Sequence, residues 1–277
     1  MRKHTGLPRK ITVCLALICL TCMAAIALAS IGDAVWPQAD GVNEKSDGGL
    51  TVDYSHAQDG YVMVKGPETD KRLKLRIARG KSTMTYDLNG SGEYEVFPLQ
   101  LGSGEYQCVL FKNAKGKKYS QEGKVKFKVE LAREDAPFLC PSQYVNYTAE
   151  TQAVLLSEEI CAGLGSDQEK FEAVRAYIQS NYAYDFVKAS TVEGGTLPDI
   201  DGCYEKKMGI CQDLAAMAAC MLRVQGIPTK LVIGYVGKNY YHAWNGVIID
   251  GEEILYDPTL DLNAISGNQK YRIERFY

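Results

Sequence analysis

Histidine is nearly absent from this chain: 277 residues contain three, and only His242 stands after residue 56. Tryptophan is scarcer still, with Trp36 and Trp244 alone. An excess of one charge is also missing. Acids number 34 against 31 bases, a net charge of −3, too small and too mixed for nucleic acid or a polybasic membrane surface. Beyond residue 30 there is no C-x-x-C pair, so the sequence offers no zinc pattern. Nor do spaced acids around a glycine mark a calcium loop. No metal and no cofactor is implied, and any imidazole chemistry in the C-terminal half depends on His242.

The N-terminus, by contrast, is rich in apolar residues. Arg2, Lys3, Arg9 and Lys10 precede Ile11 to Ile26, where Thr12 and Thr21 are the polar interruptions, and Ala27-Leu28-Ala29 offers a small-residue cleavage site. Residues 1–29 therefore read as an export signal. The rival reading is an uncleaved anchor, a membrane tether through residues 11–29. In either case the basic end stays inside and the rest is secreted or membrane-anchored, outside the cytoplasm. Six cysteines remain after the leader: Cys108, Cys140, Cys161, Cys203, Cys211 and Cys220. With Cys211 reserved as a free thiol, at most two disulfides can form among the others.

Residues 30–54 are rich in Gly, Asp, Ser and Asn and are predicted to be a linker. From 55 to 132 the apolar period is two. Tyr61–Val64, Leu73–Ile77, Tyr94–Phe97 and Lys124–Leu131 read as strands, separated by Asn89-Gly90-Ser91-Gly92, Gly102-Ser103-Gly104 and Lys115-Gly116-Lys117. Short alternating strands at this spacing predict a β-sandwich. Gly104-Glu105-Tyr106 entering Gln107–Phe111 is similar to the turn-then-tyrosine entry of a late strand in Ig-like domains. With no clustered acids, the block reads as a positioning or recognition module.

After Pro137 the period becomes helical. Thr148 is expected to cap a helix with Ala153, Leu156 and Ile160 inward, and Ser166-Asp167-Gln168-Glu169 is a capping box for a second with Phe171, Val174 and Ile178 inward. A loop from about Asp185 to Lys207 follows, long enough to be functional or mobile. The next helix opens at Cys211, is apolar nearly all round and ends at Gly226. Strands at 229–236, 241–249 and 253–257 complete an α+β arrangement over 138–277.

A thiol at the first turn of a buried helix faces the positive end of the helix dipole, and an adjacent imidazole activates it further. Gly209 is expected to turn the chain sharply before it and to bring backbone N–H groups toward a developing oxyanion. Asp250-Gly251 marks a two-residue hairpin. If Ile249 pairs with Glu252, Asp257 faces Trp244, and His242 lies diagonally on the same side, about 7–8 Å away. Cys211, His242 and Asp257 thus fall into the order nucleophile, base and orienting acid of a catalytic triad. Cys161 and Cys220 read as inert core thiols.

Gly209-Ile210-Cys211-Gln212-Asp213, Gly226-Ile227-Pro228, Gly234-Tyr235, His242-Ala243-Trp244-Asn245 and Asp257-Pro258-Thr259 together resemble the transglutaminase-like superfamily. The resemblance covers about Cys140 to the C-terminus. It implies a papain-like core of helices packed on an antiparallel sheet, and thioester chemistry on the amide carbonyls of a protein or peptide substrate. Animal members place an upstream tryptophan at the oxyanion site; this chain has none there, and Tyr204 is the substitute expected. The outcomes kept open are transglutaminase-like acyl transfer, hydrolysis by a cysteine peptidase or amidase (on cell-wall peptides among others), and a catalytically silent cell-surface binding protein.

Overall fold

A computed structural model describes residues 34–264 and 269–277; the leader read in residues 1–29 lies outside them. The first part is all β. One antiparallel sheet has the order β1 (Glu44–Asp47), β2 (Leu50–Asp53), β3 (Tyr61–Lys65), β6 (Glu95–Pro98). The other runs β5 (Ser82–Leu88), β4 (Leu73–Arg79), β7 (Gly104–Lys115), β8 (Lys118–Val129). Alternation explains the layering: Val125, Phe127 and Val129 of β8 point into the core while Lys124, Lys126 and Lys128 face water. Leu50, Val62 and Phe97 meet Leu75, Leu110 and Phe127 in the same core. The Tyr106 hydroxyl donates to the Leu99 carbonyl at 2.8 Å and accepts from the Leu101 amide at 3.1 Å, pinning the turn that enters β7.

The expected linker is too long by ten residues. Residues 44–53 form the β1–β2 hairpin, with Leu50 and Val52 fully buried. Gly48 and Gly49 both take positive φ (53° and 84°), which a two-residue primed turn requires and which glycine adopts at no steric cost. Strand β1 is polar and exposed along its whole length, so its composition resembles a spacer.

The second part begins with helices α1 (Gln152–Cys161) and α2 (Asp167–Asn181). The cap of α1 is Thr151 rather than Thr148. Helix α2 has the expected capping box: Ser166 Oγ accepts from Glu169 N at 3.3 Å, and Glu169 Oε2 accepts from Ser166 N at 3.0 Å. Next come β9 (Ala183–Tyr184), α3 (Phe186–Thr191), α4 (Ile200–Lys206) and β10 (Met208–Gly209). The loop expected over 185–207 therefore holds two short helices, started by Asp185 and Asp199 side chains that accept from Lys188 N and Gly202 N. Helix α5 (Cys211–Arg223) is buried from Asp213 to its end. It closes in a Schellman motif, with Ile227 N donating to Leu222 O and Gly226 N to Arg223 O at φ 79°.

Helix α5 packs on an antiparallel sheet of order β13 (Glu252–Tyr256), β12 (Tyr240–Ile249), β11 (Thr229–Val236), β14 (Tyr271–Phe276), with α6 (Pro258–Leu262) after β13. The fold class is α+β, as the sequence indicates. Arg223, fully buried, pairs with no Asp or Glu side chain among the described residues. Its guanidinium instead donates to the main-chain oxygens of Thr229 (2.9 Å), Cys140 (2.5 Å) and Tyr277 (3.0 Å). Contacts across the two parts include Gln100 Nε2 to Phe276 O at 2.7 Å. Among the described residues no helix is long and apolar enough to cross a membrane.

Gly234 lies opposite His242 in the β11–β12 ladder and at a bulge against β14. A Cβ there would sit 2.1 Å from Arg272 O and 2.9 Å from the Trp244 ring. Gly234→Ala should therefore destabilise the protein by ~1–3 kcal/mol through overpacking, read as a lowered urea midpoint. An unchanged midpoint would mean that the β14 edge yields without cost.

Candidate active site

Cys211 is the first residue of α5, after Ile210 in extended conformation (φ −84°, ψ 175°). The helix starts there because Asp213, at its third position, turns back and accepts from Ile210 N at 3.0 Å. The Asp213 carboxylate is fully buried and accepts two further donors, Asp199 N at 3.0 Å and Lys188 Nζ at 2.7 Å. One carboxylate thus joins the thiol-bearing turn to both short helices. Gly209 does not make the sharp turn expected; it is a strand residue of β10, paired in parallel with Tyr184 of β9. Its small size has another cause. A Cβ would meet Cys203 Sγ at 2.8 Å and Asp213 Cβ at 2.9 Å.

The imidazole and carboxylate come from the hairpin. Asp250 and Gly251 both have positive φ (53° and 80°), and Ile249 pairs with Glu252 as the turn signal predicts. Asp257 stands one residue past β13 and caps α6, its Oδ1 accepting from Leu260 N at 3.1 Å. Its Oδ2 lies 2.8 Å from His242 Nε2, and both side chains are buried. With Nε2 donating to the carboxylate, Nδ1 is the free nitrogen. It is buried without a hydrogen-bond partner, and Cys211 is the thiol it can serve. Burial disfavours charge on the ring, but the hydrogen bond and charge of Asp257, together with the Cys211 sulfur, outweigh it and raise the His242 pKa to about 9.

Cys211 is partly exposed in a cleft of about 430 Å³ whose walls include Tyr184, Thr196, Tyr240, His242 and Arg275. Gln212 Nε2 donates to Thr196 O at 3.0 Å and fastens the 192–199 segment as one rim. A second, largely apolar depression of about 570 Å³ adjoins the cleft at His242, with Phe186, Val236 and Leu260 in its wall. Tyr184, Tyr240 and His242 border both. Phe186 and Tyr240 are 71% and 61% exposed, so the surface beside His242 carries exposed aromatic area.

Tyr204, expected beside the oxyanion, is elsewhere. It lies on α4 with Lys207 Nζ 3.9 Å from its ring centroid, and it borders a shallow groove with Thr148 and Asp201 instead of the Cys211 cleft. Proximity in sequence was misleading because α4 turns that side chain away. Tyr184 is one of four tyrosines that do line the cleft, with Tyr144, Tyr240 and Tyr241; a purely local reading misses it because β9 pairs with residues 25 positions later. All six cysteines of the described residues are free. Burial pushes the thiols of Cys108, Cys140 and Cys203 up to about 12, and raises those of Cys161 and Cys220 as well. Among the described residues, no three His, Cys, Asp or Glu side chains gather in a metal-binding cluster.

No curated protein matches the chain. Among solved structures, it is similar to a protein from Cytophaga hutchinsonii assigned as a cysteine protease, at 17% identity over 78% of this chain and 91% of the other (TM-score 0.39). It is also similar to a protein described as a TGase, at 22% identity over 44% of this chain and 32% of that one (TM-score 0.35). A third is red sea bream transglutaminase, at 14% identity over 72% and 47% (TM-score 0.28). The family model of the transglutaminase-like superfamily matches residues 155–258, a span that holds Cys211, His242 and Asp257. That part of the chain is a transglutaminase-like domain.

Proposed function

We propose that Cys211, His242 and Asp257 act as a nucleophilic triad that forms a thioester from the amide carbonyl of a protein or peptide. The observation that carries this reading is the division of labour on one imidazole. Nε2 is held by Asp257, while Nδ1 is buried, unpartnered and available to a thiol at a helix N-terminus. Cys211 Sγ, with its proton on His242, attacks the carbonyl carbon, and the C–S bond forms as the carbonyl oxygen becomes anionic. First-turn N–H groups of α5 have no intrahelical partner and can receive that oxygen. Tyr184 is the second donor we assign; burial keeps its hydroxyl protonated. His242 then returns the proton to the departing nitrogen and the C–N bond breaks. Neutral His242 activates the second nucleophile, which releases the acyl group and restores the thiol.

An amine as second nucleophile makes the reaction a transamidation, and water makes it a hydrolysis. A second depression that also borders His242 offers room for a second nucleophile beside the acyl chain, which favours transamidation; peptidase or amidase action is the alternative. The exposed aromatic rings of Phe186 and Tyr240 suit a polypeptide segment. In this reading residues 1–29 export or anchor the protein, and the β part, an Ig-like sandwich, positions substrate.

Incubating the protein with a glutamine-containing protein and a labelled amine tests the assignment. Cys211→Ala should abolish both amine incorporation and ammonia release, and His242→Ala should be nearly as damaging. Asp257→Asn should keep the fold and lose roughly 10²–10⁴ in turnover, as when a triad loses the group that sets its tautomer. Full activity in Cys211→Ala would remove the enzyme assignment from this site.

The pH dependence carries a sign. Acylation needs the imidazolium proton, so its rate should fall as pH rises through about 9, where His242 loses it. Asp257→Asn removes two of the causes that raise this pKa and leaves burial less opposed. The alkaline limb should then move to lower pH in the variant. A limb that stays in place would show that Asp257 does not act on the ring.

A further inference from the structure

We propose that Tyr271 is a positioning residue of this site: its hydroxyl donates to the same Asp257 oxygen that accepts His242 Nε2, fixing that carboxylate and moderating its pull on the imidazole. The role in turnover rests on the triad reading above; the coupling through Asp257 does not.

Asp257 Oδ2 lies 2.8 Å from His242 Nε2 and 2.9 Å from the Tyr271 hydroxyl, while Oδ1 takes the Leu260 amide at 3.1 Å. Three donors from three elements therefore hold one buried carboxylate, so it has little freedom to rotate about its last torsion. Tyr271 opens β14 opposite Val236 of β11, and its ring packs edge-on against Trp244 at 4.9 Å between centroids. The phenol is set there by the sheet and by Trp244, independently of Asp257. Burial, then the Asp257 charge and hydrogen bond, keep it protonated, so it donates to the carboxylate and never competes with it as an anion. The other titratable groups around the imidazole are Cys211 from α5, Tyr184 from β9 and Tyr240 from its own strand.

Two donors on one oxygen divide its negative charge. With the phenol in place, Oδ2 holds the imidazolium N–H less tightly than a carboxylate oxygen with a single donor would. A ring held too tightly keeps its proton, which slows both delivery to the leaving nitrogen and the neutral state needed for the second half-reaction. Tyr271 thus acts on the reaction through Asp257 without touching substrate.

The isosteric Tyr271→Phe keeps the ring and removes the hydroxyl. NMR titration of His242 in the Cys211→Ala background isolates the imidazole from the thiol. There Tyr271→Phe should raise the His242 pKa by ~0.5–1 unit, through loss of one hydrogen bond to the facing charge. In the otherwise intact protein the same change should lower kcat by roughly 5- to 20-fold with KM unchanged, as for an interaction felt in the transition state alone. In a double-mutant cycle the effect should vanish in Asp257→Asn. An unmoved titration, or an effect of Tyr271→Phe that persists in full without the carboxylate, overturns the proposal. The titration needs no turnover, so an inactive wild type with a shifted His242 would sink the thioester reading while leaving the coupling standing.

Discussion

An ionised carboxylate taken out of water without partners is so costly that it protonates or drags water in with it. Asp213 is fully buried, and three donors offset that cost: an amide from the residue before the thiol, an amide from the start of α4, and the Lys188 ammonium from α3. Because each partner comes from a different segment, satisfying the charge forces those segments together. The first turn of α5 and the wall of the cleft are consequences of one electrostatic demand. Gly209 belongs to the same constraint, since any side chain there would push on Asp213 and Cys203.

The other half of the site is built by sheet register. A two-residue turn fixes the pairing of β12 with β13, and Asp257, just past the end of that ladder, meets His242 at 2.8 Å. Asp257 then works twice, capping α6 through one oxygen and holding the imidazole through the other. Helix start and hairpin register are independent devices. They meet at a single buried nitrogen, His242 Nδ1.

What was legible in the sequence is what local chemistry decides. The capping box at Ser166–Glu169, the apolar helix opening at Cys211 and the Asp250-Gly251 turn each depend on residues within a few positions of one another, and each is found where expected. The three triad candidates come together because two such local signals, read jointly, fix their places. What was missed depends on distant partners or on composition. Strand β1 is polar because it is an edge strand, so it reads as a spacer. The helices α3 and α4 are short enough that the glycines and proline around them dominate the pattern. Tyr184 and Tyr271 are two of 18 tyrosines, and only pairing with remote strands sets them apart from Tyr204.

Arg223 shows how such a molecule must come apart. Its guanidinium is fully buried, and two of its three main-chain oxygen partners are 83 and 54 residues away along the chain. If any one segment lifts, a bare guanidinium is left in an apolar interior, so partial loosening costs more than it relieves. The segment before α1, the last strand and the end of the thiol helix are therefore released together or held together. The helix that carries Cys211 at its start is thereby tied, at its other end, to two segments far away in the chain.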